Sequence, residues 1–105
     1  MIFPVQNYII YLSSVTEEAV LSMRIRKKEL GDKNLAGARI EAVRRSKGMK
    51  QKELLAQLQV RGVDINASAL SKLEGQLRII TDIELLAFAE ILDMDVLWLL
   101  TGKEK

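Results

Sequence analysis

From residue 34 onward the apolar positions recur at intervals of three and four, the period of an α-helix. "LAGARIEAVRRSKG" (35–48) sets Ala36, Ile40 and Val43 on one face and stops at Gly48. In "QKELLAQLQV" (51–60) Leu54, Leu55 and Leu58 share a face, Glu53 falls in the first turn, and Gly62 ends the region. "RGVDIN" (61–66) then reads as a connector. Asn66 is placed to cap "ASALSKLE" (67–74), with Ile65 and Leu70 spaced as a hydrophobic staple. "TDIE" (81–84) is a capping box with Ile80 and Leu85 as a second staple, and it opens the strongly apolar "IELLAFAEIL". Asp95 caps "VLWLLTG", which Gly102 closes. Five short helices with short connectors predict an all-α domain over 34–102.

The first 33 residues follow a different pattern and read as an N-terminal extension. "MIFPVQNYIIYLSS" is apolar but lacks a basic leader and a small-residue cleavage site, and it is too interrupted for a membrane span. "NYIIYL" (7–12) is a candidate short strand. "TEEAVLSMRIRKKELG" (16–31) reads as one helix, with Thr16 as cap, Glu17 and Glu18 in the first turn, Arg26, Lys27 and Lys28 near the end, and Gly31 as stop. The expected location is cytoplasmic.

Composition narrows the chemistry. The chain holds 105 residues with no Cys and no His. Disulfides, thiol nucleophiles, Cys/His zinc sites and histidine acid–base catalysis are thereby excluded. No Asp/Glu cluster has calcium-loop or paired-carboxylate spacing, and no glycine-rich phosphate loop occurs. We expect no metal, no cofactor and no enzyme. Net charge is only +2, but residues 23–61 carry 12 Lys/Arg against 4 Asp/Glu, and residues 62–105 carry 4 against 8. A basic block in a near-neutral chain suits a local anionic partner, although a solvated helix surface has the same composition.

The stretch 67–74 is bare for a helix. At about 100° per residue, Leu70 and Leu73 share one arc, while Ala67, Ser68, Ser71 and Lys72 fall on the opposite one. Such a helix docks by two leucines and shows small, hydrogen-bonding and cationic groups outward. Slim side chains suit entry into the major groove of DNA, which phosphates wall on both sides.

With these residues in view, the sequence resembles the Cro/repressor-type helix-turn-helix domain (the XRE family) over 34–102. "RSKGMKQKELLAQL", "INASALSKLEGQLR" and "TDIELLAFAEILDMDVLWLLTGK" carry the likeness, in that order. The resemblance implies a five-helix, lambda-repressor-like fold whose third helix reads bases. Ala67, Ser68 and Lys72 match base-contacting positions, with Asn66 and Ser71 beside them. Gln51 matches a glutamine that touches phosphate and braces the third helix. Lys50 and Arg78 are expected phosphate contacts. Arg44 and Glu74 match a pair that bridges the first and third helices. The family's usual cap is Ser or Thr where Lys50 stands, its small residue is Ala where Leu55 stands, and its connector after the second helix is shorter. Gly75 precedes Gln76, where an Asn–Gly order is commoner.

The implied function is a sequence-specific DNA-binding transcriptional regulator, a repressor, acting as a homodimer on double-stranded DNA. The alternative is an antitoxin or phage accessory protein whose helical domain mainly grips a toxin or another protein. Trp98, Leu97, Leu99 and Leu100 are expected in core and dimer packing, with Leu97 as a self-association patch. Met23 opens the basic block, and a shorter product beginning there is expected to bind DNA as the full chain does. The rival expectation is that "NYIIYL" pairs as a strand with its copy in a second subunit.

Overall fold

The computed structural model describes residues 30–103. The candidate strand at 7–12, the helix expected from Thr16 and the Met23 start lie outside the described residues. Within them the fold is all-α: α1 (Gly37–Ser46), α2 (Gln51–Val60), α3 (Ala67–Glu74), α4 (Asp82–Leu92) and α5 (Val96–Thr101). Among the described residues no helix is long and apolar enough to cross a membrane.

Local chemistry starts each helix differently. The Asn66 side chain accepts from the Ala69 N–H at 2.8 Å, and Thr81 accepts from Glu84 N–H while the Glu84 carboxylate accepts from Thr81 N–H. At α2 the lysine ammonium of Lys50 offers no acceptor, so only half of a capping box forms: Glu53 accepts from the Lys50 N–H at 2.7 Å. Asp95 caps α5 through the Leu97 N–H.

Four helices end in one way. In each, a residue one or two positions past the helix turns left-handed, and the next N–H reaches back to a carbonyl five residues earlier, the Schellman arrangement. Met49 N–H bonds to Arg44, Val63 to Leu58, Leu77 to Lys72 and Met94 to Ala89. The left-handed residues are Gly48 and Gly62, then Gln76 (φ 60°) and Asp93 (φ 55°). For an L-residue this conformation costs on the order of 1 kcal/mol. Val63 and Met94 bury their side chains beyond the turn and Met49 is half-buried, but Leu77 is exposed.

The core joins all five helices. Ile40 and Val43 of α1, Leu54 and Leu58 of α2, Leu70 and Leu73 of α3, Phe88 and Leu92 of α4, and Leu99 of α5 are wholly buried. Each large apolar side chain so placed stabilises the fold by about 1.5–3 kcal/mol. α3 packs against α1 and α2, and α4 closes the far side against α1, α2 and α5. Leu55 departs from the expected face, being half-buried at its edge. Trp98 joins the core, whereas Leu97 stays exposed and Leu100 is half-buried. The outward face of α4 is also apolar, with Ile83 71% and Leu86 56% exposed.

Candidate nucleic-acid interface

α3 has two turns, too few to hold a helix in water without tertiary support. Leu70, Leu73 and Glu74 are buried beneath it, and Asn66, Ala67, Ser68, Ser71 and Lys72 are exposed on its outer side. All five positions expected to meet bases are thus exposed: Ala67, Ser68, Ser71 and Lys72 on the arc opposite the leucines, and Asn66 at the cap just ahead of them. Asn66 is half committed: its Oδ1 is taken by the cap, which leaves its NH2 as a donor.

Behind this face lies a polar chain linking three helices. The Arg44 Nε donates to Glu74 Oε2 at 2.7 Å and its Nη2 to Oε1 at 3.1 Å. A third nitrogen of Arg44 donates to the Met49 carbonyl at 2.9 Å. Gln51 Nε2, from α2, donates to Glu74 Oε1 at 3.0 Å and to Ser71 Oγ at 3.3 Å. Burying two charges costs several kcal/mol per ion, and it is offset here by paired geometry and by the extra donors that fill the carboxylate. Gln51 therefore braces α3 from the side, and Ser71 marks where the chain reaches solvent.

Exposed cations stand on α3 and at the start of α2. Lys50, Lys52 and Lys72 are exposed and have no carboxylate within ion-pair distance among the described residues. Arg45 is held by Glu41 at 2.9 Å, and Arg61 by Glu90 at 3.5 Å.

Arg78 sits differently from the expected open phosphate contact. Its two terminal nitrogens donate to the two oxygens of Glu84, each at 2.9 Å, and one also reaches the Ile79 carbonyl. This planar fork is well matched to a carboxylate. The hydrogen bond from Arg78 holds the Glu84 carboxyl below its usual range against the opposing effect of burial, and the same bond raises Arg78. The pair ties the turn after α3 to the start of α4, so Arg78 is a brace in this structure.

The sequence reading missed a second brace. Asn34, just ahead of α1, uses its whole side-chain amide: Nδ2 donates to the carbonyls of Leu73 (2.9 Å) and Arg78 (2.7 Å), and Oδ1 accepts from Gly37 N–H (2.7 Å). Gln76 Nε2 returns a bond to the Asn34 carbonyl at 2.6 Å. Gly31 and Lys33 donate their N–H groups to the carbonyls of Gly75 and Gln76. Ordered contacts thus begin ahead of residue 34, where the helical pattern starts. A short-range signal existed, since Asn side chains readily bond backbone groups a few residues away, as Asn34 does with the Gly37 N–H. The partners some 40 residues away had none.

Comparison with family models, with curated proteins and with solved structures found no match for this chain.

Proposed function

We propose that this chain is a sequence-specific DNA-binding regulator of transcription, a repressor of the Cro/repressor helix-turn-helix kind, with α3 as its recognition helix. One observation carries the reading: a two-turn helix exposes a row of small and donor-bearing side chains while a buried ion pair and two leucines fix it from behind. A helix with that profile fits the major groove, where Lys72 can donate to guanine, Ser68 can serve either base type, and Ala67 can meet a thymine methyl. Lys50 and Gln51 at the start of α2 are the candidates for phosphate contact, Gln51 being bonded to Ser71 of α3, with exposed Lys52 next to them in the chain. The protein would act in the cytoplasm as a homodimer, its two α3 helices spaced by roughly 34 Å, one turn of duplex.

Selection of bound duplexes from a random pool tests this, followed by a salt titration on the winner and on random DNA. A regulator enriches one near-palindromic sequence and loses affinity steeply as salt rises. No enrichment, with no binding to random DNA at low salt, would sink the reading. The second reading, an antitoxin or accessory protein gripping another protein, draws support from Ile83 and Leu86 on the outer face of α4.

A further inference from the structure

We infer that Asn34 is a positioning residue for α3, clamping its C-terminal end through Gln76 so that the recognition face meets bases at a fixed tilt. The inference rests on the reading of α3 as the recognition helix. The helix ends differ in how they are secured. Where α1 and α2 stop, glycine takes the left-handed turn, and where α4 stops, Met94 is buried beyond it. α3 has neither device, because Gln76 occupies the left-handed position and Leu77 beyond it is exposed.

Further support for that end comes from outside the helix. The last carbonyls of a helix lack partners in its regular ladder; the turn after α3 answers Ser71, Lys72 and Leu73, Asn34 adds a second donor to Leu73, and the chain just before it takes Gly75 and Gln76 beyond the helix. The approach is as close as backbone allows: a Cβ on Gly37 would fall on the Leu73 carbonyl oxygen, and one on Gly31 on that of Gln76. Gln76, strained by its φ of 60°, is secured by its amide donating to Asn34 and by its carbonyl accepting from Lys33. Because Asn34 also accepts from Gly37, the start of α1 and the end of α3 share one fixed point. Only an amide supplies two donors and one acceptor there.

Base contacts tolerate little tilt, whereas phosphate contacts tolerate much more. Loosening the clamp should therefore reduce discrimination and spare general DNA affinity. The test uses the full chain, the duplex enriched in the selection and a random duplex of equal length, titrated by fluorescence anisotropy at one salt concentration. Asn34→Ala is expected to lower the ratio of specific to random affinity on the order of tenfold, the scale of one good base contact, with the salt slope unchanged. Gln76→Gly removes one strap while relieving the left-handed strain, so it folds even if Asn34→Ala does not, and it should shift the ratio in the same direction. Val96→Ala, in α5, provides a destabilised control that keeps the ratio. An unmoved ratio in folded Asn34→Ala, or in Gln76→Gly where the former does not fold, overturns the positioning role. A wild-type chain that selects no sequence removes the DNA reading and this inference together.

Discussion

Arg44 of α1 and Glu74 of α3 meet through two hydrogen bonds, with side chains only 7% and 2% exposed. A pair so buried is costly to break, because Arg44 would keep only the Met49 carbonyl and the more distant Glu41, at 3.9 Å, to offset its buried charge. Glu74→Ala should lower unfolding free energy by about 3–5 kcal/mol, whereas replacing both residues by apolar ones of similar volume should cost far less. Urea denaturation of the single and double variants forms the cycle, and additive losses would remove the coupling.

The Arg78–Glu84 pair predicts a pH dependence. Glu84 is lowered in the folded state, chiefly by the hydrogen bond from Arg78, so its contribution is present above the unfolded carboxyl value of about 4.3 and is lost as pH falls through the lower folded value. Glu84→Gln should be less stable than wild type at pH 6, and the gap should narrow below pH ~4. Thermal melts across that interval measure it. A constant gap would assign the loss to packing.

Lys72→Ala probes the outward face of α3. Specific binding should weaken by about 1–3 kcal/mol, with preference relaxed at one base in each half-site. Equal losses on specific and random duplexes would reassign Lys72 to phosphate.

Asp93 turns left-handed at the end of α4, is exposed, and passes its turn on to the buried Met94. Glycine is at ease in that conformation but loses more freedom on folding. Asp93→Gly should accordingly stabilise the domain slightly, by about 0.5 kcal/mol. Calorimetry reads the sign, and a lower Tm would mean that the Asp side chain serves the turn.

The helices were legible in the sequence because their signals are local. Asn66, Thr81 and Asp95 act within four residues of themselves, and Leu54, Leu58, Leu70 and Leu73 reveal their faces by spacing alone. Leu55 lies at the edge of such a face, where periodicity cannot separate buried from half-buried. The end of α3 was harder to read. Gly75 resembles a stop, yet its φ is −81° and the left-handed residue is Gln76. Residue type hides this because the hold comes from Asn34, far away in sequence. The ion pair of Arg78, an expected phosphate contact, was hidden for a related reason, since nothing in "RIITDIE" says that the turn folds Glu84 back onto it.

The connector between α2 and α3 closes the one through Gly62 and Val63 and caps the other through Asn66, and the residues between those ends carry neither task. Val63, buried in mid-connector, pins it to the core, and the bracing of α3 comes from Gln51, Glu74 and Asn34. Exposed Asp64, beside that pin, can then absorb inserted residues without moving the outward side of α3, since lengthening a surface loop costs only about 0.6 kcal/mol per doubling. Loop length becomes a nearly neutral variable, open to drift among descendants of this chain while the packing of α3 stays put.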